Sequence, residues 1–257
     1  MHGLEGRLVV ITGASRGIGA ATAVAVAARG GDVVLLARGR ESLDAVAARV
    51  RERGVRAWVI PVDLRVDVDA KAAAEAVLQI GVPDVVVANA GHSIARGVLE
   101  CVERPDSYTR SMGVNFLGTV AFCGPLLAAM VHRNSGHLIG VTTATARIPL
   151  PGWGPYVASK AAFDAWLRAA GPELAASGIH VTISRPALVD TGMVVRRRER
   201  SRRGVAPERI ADQLVGAMLR PRPEISPWWV RPADVASAAA PHTVARLVWA
   251  VTRRRAP

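Results

Sequence analysis

Tyr156-Val157-Ala158-Ser159-Lys160 holds the residues best placed to do chemistry. The chain has two tyrosines, Tyr108 and Tyr156, and two lysines, Lys71 and Lys160, against 31 arginines (33 basic residues less 2). One of each lies four residues apart in this stretch, a spacing that sets both side chains on one face of a helix. Elsewhere the sequence writes almost every positive charge as Arg. At 160 it writes Lys, a compact ammonium with rotatable donors rather than a fixed guanidinium. An ammonium beside a phenol favours the phenolate and lowers its pKa. Tyr156 is therefore expected to give and take a proton near neutral pH. Such a pair arises often by chance, so it needs an independent motif beside it.

The N-terminal region supplies one. Leu8-Val9-Val10-Ile11 reads as a buried parallel strand. It runs into Thr12-Gly13-Ala14-Ser15-Arg16-Gly17-Ile18-Gly19, and then into the alanine-rich, helix-prone stretch 20–28. Strand, glycine-rich turn and helix form the context of a dinucleotide-binding loop. Its glycines let the backbone approach a pyrophosphate held at the positive end of the helix. The spacing is G-x-x-x-G-x-G rather than G-x-G-x-x-G.

Together these motifs resemble the compact single-domain branch of the short-chain dehydrogenases/reductases. The resemblance covers roughly residues 5–192. Thr12 to Gly19 meets the family's T-G-x-x-x-G-x-G in full. Asn89-Ala90-Gly91 meets its N-A-G, Asn115 its helical asparagine, and Tyr156 and Lys160 its Tyr and Lys. Pro186-Ala187-Leu188-Val189-Asp190-Thr191 matches its proline-containing segment, with Ala187 in place of the usual glycine. The catalytic serine usually lies thirteen residues before the tyrosine, and there this chain has Thr143. Threonine offers the same hydroxyl, with a methyl group that restricts its rotamer. Thr142 and Thr145 are neighbours, and strand alternation puts Thr142 on the opposite face from Thr143.

The resemblance implies a role for each residue. Tyr156 passes a proton to or from substrate oxygen. Lys160 lowers the phenol pKa and holds the nicotinamide ribose. Thr143 polarises the carbonyl, and Asn115 supports a proton-relay water. Val189 and Thr191 place the carboxamide, and Asp63 contacts adenine. The cofactor is expected to be NADP(H). The second strand, Val33 to Ala37, ends without the acid that would bond an NAD ribose. Arg38 follows it, and Arg16 lies inside the glycine loop, so two guanidiniums suit a 2′-phosphate. Ser15 adds a hydroxyl donor.

At 257 residues the chain is expected to be one α/β domain, 1–257. The expected fold is a single Rossmann-like, doubly wound parallel sheet with helices on both faces. Strands read at 7–12, 32–37, 56–60, 84–88, 136–142 and 179–184. Helices read at 17–29, 41–53, 67–79, 104–132 and 155–177. Within the same domain, 192–257 reads as a substrate lid and C-terminal helical region. It has a helix near 206–219, an edge strand near 223–227 and an amphipathic helix over 241–253.

No apolar run is expected to reach membrane-spanning length, and the first strand begins too early to leave room for a signal peptide. Cys101 and Cys123 have no metal or redox spacing and read as core thiols in a reducing cytosol. The charge of +12 gathers partly in Arg196–Arg203 and Arg253-Arg254-Arg255. No aromatics interleave these arginines, so nucleic acid is not an expected partner. A peripheral membrane contact at the Trp249 helix stays open but unfavoured. The expected partners are a small hydrophobic carbonyl or alcohol, beside the proline-rich segment 148–155, and further copies of the chain as a homodimer or homotetramer. Two rivals stay open. One is a 3-oxoacyl-carrier-protein reductase, whose acidic partner would suit the arginines. The other is a non-catalytic NADP(H)-binding sensor or scaffold, which a lost serine would favour.

Overall fold

The structure is a computed structural model, and it describes residues 3–190 and 204–253. Its centre is a seven-stranded sheet. The strands are β1 (Leu8–Thr12), β2 (Asp32–Ala37), β3 (Ala57–Pro61), β4 (Val85–Ala88), β5 (Gly136–Val141), β6 (Ile179–Ser184) and β7 (Glu224–Ile225). They run parallel in the order β3-β2-β1-β4-β5-β6-β7. The flanking helices are α1 (Gly17–Ala27), α2 (Arg40–Arg51), α3 (Asp67–Ile80), α4 (Val98–Glu103), α5 (Asp106–Met112), α6 (Gly118–Arg133), α7 (Gly154–Ala175), α8 (Pro207–Leu219), α9 (Val230–Ala239) and α10 (Pro241–Arg253).

The central strands are apolar on both sides because helices cover both faces. Val9 and Ile11 of β1 pack into the layer of α1, α2 and α8. Val10, between them, packs into the layer of α3, α6 and α7. The strand order reverses at β1, whose neighbours are β2 and β4. Ligands of such sheets bind outside the carboxyl ends of the strands at that reversal.

Two expectations change. The helix read at 104–132 is divided. α4 precedes it, Pro105 caps α5, and a π-helical turn over Gly113–Leu117 separates α5 from α6. At Gly118 the helix presses on the chain after β3: a Cβ there would lie 1.5 Å from the Leu64 oxygen. Counted together, Asp106–Arg133 is also long and apolar enough to cross a membrane, against expectation. Its apolar residues have another place to go, since Phe122, Cys123, Leu126, Leu127 and Met130 are core residues packed in the α3 layer. The edge strand and the helices near 206–219 and 241–253 stand as expected, and α9 adds an element not foreseen.

Candidate active site

The glycine turn and the β4 end are locked together. The Thr12 hydroxyl accepts from the Asn89 and Ala90 N–H groups at 3.0 and 2.9 Å and donates to the Val87 oxygen at 3.4 Å. The Asn89 amide donates to the Thr12 oxygen at 2.9 Å and the Gly13 oxygen at 3.4 Å. Gly13 has φ of +67°, and a Cβ there would meet Ala90 Cα at 2.9 Å. Glycine is therefore required for both conformation and space. Arg16, at the N-cap of α1, makes no side-chain cap, and the first turn carries no acid. The leading N–H groups of α1 are thus free to bind an anion, as a pyrophosphate site needs. Ser15 and Gly17 complete the turn, and Ile18 packs into the α1 layer.

Beyond β2, Arg38 and Asp63 line one cavity of about 480 Å³ with Ile60, Val62, Asp69 and Ala73. Arg65 donates to Asp63 at 2.5 and 3.0 Å and holds that carboxyl below its ordinary range. The carboxylate expected to meet adenine is therefore already paired within the chain.

The catalytic candidates converge at the carboxyl ends of β4 and β5. Tyr156 lies in the first turn of α7, with Trp153 edge-on at 6.0 Å between ring centres. Burial pushes the phenol pKa up, and the neighbouring Thr143 hydroxyl pulls against it. This corrects the expectation that Lys160 depresses the phenol. Lys160 is buried, its pKa is lowered to about 8 by that burial, and its ammonium donates to the Val141 oxygen at 2.8 Å. Thr143 thus takes the position facing Tyr156. Its hydroxyl also lies 3.1 Å from that of Thr145. Thr142 points the other way, donating to the Ser184 oxygen at 3.2 Å and Asp164 at 3.3 Å.

Asn115 sits within the π-helical turn. Its oxygen accepts from the His92 N–H at 2.6 Å, and its amide donates to the His92 oxygen at 2.9 Å and the Ser159 hydroxyl at 2.8 Å. Both amide hydrogens are used, so its side chain fixes the loop after Gly91 to α7. A Cβ on Gly91 would come within 3.4 Å of Lys160 Nζ and 3.5 Å of Asn115 Oδ1. The N-A-G segment, the asparagine and the lysine therefore meet at one point.

Residues 7–202 match the family model for short chain dehydrogenases. The chain belongs to the short-chain dehydrogenase/reductase family. An uncharacterized oxidoreductase of Mycobacterium tuberculosis is 39% identical over 196 residues, 74% of this chain and 57% of that protein. This chain thus spans little more than half the length of that relative. A fatty acyl-CoA reductase of Acinetobacter baylyi is 32% identical over 93% of this chain and 81% of its own. Among solved structures, a 3-oxoacyl-(acyl-carrier-protein) reductase of Agrobacterium tumefaciens with NADP bound superposes with a TM-score of 0.80. It is 25% identical, over 87% of this chain and 93% of that one. An alcohol dehydrogenase of Thermococcus sibiricus, complexed with 5-hydroxy-NADP, gives 0.77 at 28% identity, over 85% and 94%.

In this short-chain dehydrogenase/reductase, Pro186 accepts from the Ala144 N–H at 2.9 Å, next to Thr143. Val189 is buried and bridged to Val205. Thr191 and the Arg196–Arg203 cluster lie outside the described residues. Sequence reasoning missed Asp164 and Arg185, which are buried and paired beneath the site. The signal was available in part: Asp164 follows Tyr156 and Lys160 at the same four-residue spacing.

Proposed function

We propose that this protein interconverts a carbonyl and a secondary alcohol of a hydrophobic substrate, with NADP(H) as hydride carrier. The observation that carries the reading is the convergence of Thr143, Tyr156 and Lys160 beside the glycine turn. A nicotinamide, when bound, supplies or accepts the hydride. The glycine turn and the uncapped start of α1 would hold its pyrophosphate. Arg16 and Arg38 would pair with the 2′-phosphate, a preference supported by the absence of an acid at Ala37. Thr143 donates its hydroxyl hydrogen to the substrate oxygen, and Tyr156 delivers the proton there in reduction or withdraws it in oxidation. Lys160 would hold the cofactor ribose.

The fatty acyl-CoA reductase relative supports a long apolar acyl or ketone substrate. The NADP-bound 3-oxoacyl reductase neighbour favours a second reading, a 3-oxoacyl group on an acidic carrier. Exposed Val98, Leu99 and Val102 support a homo-oligomer, and the buried free cysteines support a cytoplasmic setting. The test is turnover of hydrophobic ketones, acyl-CoA thioesters and carrier-bound 3-oxoacyl groups, each with NADPH and NADH. NADPH-dependent reduction of one class is expected. Tight NADPH binding without turnover of any class would instead support the sensor or scaffold.

A further inference from the structure

The molecule holds a buried charged cluster that the proposed chemistry does not use. Asp164 and Arg185 are both buried, at 0% and 4% exposure. Arg185 grips Asp164 with two bonds, Nε to Oδ1 at 2.7 Å and Nη2 to Oδ2 at 3.0 Å. Its remaining nitrogen reaches Glu224 Oε2 on β7 at 3.0 Å. Asp164 also accepts from the Thr142 hydroxyl at 3.3 Å and from Arg168 Nε at 3.3 Å.

The sequence neighbours of these groups give the cluster its meaning. Asp164 lies one turn after Lys160 and two after Tyr156, on their face of α7. Thr142 immediately precedes Thr143, and Arg185 immediately precedes Pro186. One carboxylate therefore joins the three segments that carry the proton donor, the carbonyl-polarising hydroxyl and the cofactor-facing proline. Main-chain bonds run alongside, from Thr142 N–H to the Ser184 oxygen at 2.8 Å and from Ala144 N–H to the Pro186 oxygen at 2.9 Å. Those bonds fix the two strand ends to each other. They do not fix α7, and rotation or sliding of α7 would carry Tyr156 away from Thr143. The bidentate fork resists both motions because its two parallel bonds set a direction as well as a distance.

We propose that Asp164 and Arg185 are positioning residues that hold the Tyr156 phenol against the Thr143 hydroxyl. The proposal rests on the catalytic reading above for its kinetic consequence, but its geometric content can be measured without turnover. Removing one member of a buried pair leaves an uncompensated charge, so the choice of variant matters. Asp164→Asn leaves Arg185 with Glu224, and Arg185→Lys keeps the charge while removing the fork.

The chain has two tyrosines, so 3-fluorotyrosine labelling gives two fluorine resonances, assigned with Tyr108→Phe. In Asp164→Asn and Arg185→Lys the Tyr156 resonance is expected to move or broaden while that of Tyr108 stays in place. On a reduced substrate found as above, kcat should fall at least about tenfold, as misplacement of a reacting group does. NADPH affinity should stay within about twofold, measured well below each variant's Tm. A Tyr156 resonance at its wild-type position in both variants would overturn the proposal, as would wild-type kcat, and the pair would then only stabilise the fold. If the wild type turns over nothing, the catalytic reading fails, and the fluorine resonances still decide the positioning claim. If Asp164→Asn does not fold, Arg185→Lys carries the same test.

Discussion

His137 donates its Nε2 hydrogen to the Thr182 hydroxyl oxygen at 2.8 Å across β5 and β6. The direction is set by Thr182, whose own hydrogen goes to the Arg222 oxygen at 2.5 Å. Nδ1 is left buried with no partner. Protonation of this ring would place a charge where no acceptor meets it, with His180 edge-on at 6.0 Å. Burial, aided by smaller repulsions from His180 and Arg7, lowers its pKa from 6.5 to about 4.

Stability should therefore depend on pH at this residue. Above pH 6.5 the ring is neutral whether folded or unfolded, and it contributes nothing. Between pH 6.5 and about 4 the unfolded chain holds a proton that the folded chain lacks, so stability falls as pH falls. The full effect is roughly 3 kcal/mol. Urea midpoints for the wild type and His137→Gln at pH 7 and pH 4.5 measure it. The wild type should lose more than the variant. Equal losses would show that His137 titrates normally in the folded chain.

Tyr156→Phe removes only the phenolic oxygen and keeps the edge contact with Trp153. Turnover should be abolished while NADPH binding stays within about twofold, since general acid–base steps of this kind are worth about 10²–10⁴ in rate. Steady-state kinetics beside NADPH fluorescence titration reads both. Residual turnover near wild type would mean that the proton comes from another group.

Legibility in the sequence followed locality. β1, the glycine turn and α1 are neighbours in the chain, so their strand-turn-helix pattern showed at once, and apolar runs located the other long strands. The Tyr156–Lys160 helix was equally plain, because its spacing is periodic. What depends on distant partners was not plain. Spacing, charge and resemblance all assign Lys160 to the phenol, whereas its fixed partner is the Val141 carbonyl. Nothing in the local pattern singles out Asp164, because its partner Arg185 lies 21 residues on. The division of 104–132 into two helices and a π turn comes partly from packing against Leu64, which no periodicity reports.

Cofactor choice should turn on Arg38. It lines the cavity beyond β2, and a guanidinium there offers charge-assisted bonds to a 2′-phosphate, each worth about 1.5–3 kcal/mol. Arg38→Asp should weaken NADPH binding by about 10–100-fold and improve NADH binding. Titration of both reduced cofactors at fixed ionic strength checks this. Tighter NADH than NADPH in the wild type would reject the assignment before any variant is made.

The hydroxyl facing Tyr156 should be the one at Thr143. The Thr143 hydroxyl opposes the effect of burial on the phenol, so it lies on the side of Tyr156 where a substrate oxygen would sit. Thr143→Ser keeps the hydroxyl, frees its rotamer and removes a methyl, and activity should hold or rise, most for bulky ketones. Thr143→Val keeps the branched shape and loses the donor. Its kcat should fall by about 10²–10³, as for loss of one oxyanion donor. Thr145 is the control, because its hydroxyl lies 3.1 Å from that of Thr143 and belongs to the same small cluster. If Thr145→Val is crippled and Thr143→Val is not, the polarising role moves two residues along. If both variants keep wild-type kcat, neither hydroxyl polarises the carbonyl, and the Thr143–Tyr156 contact serves only to orient the phenol.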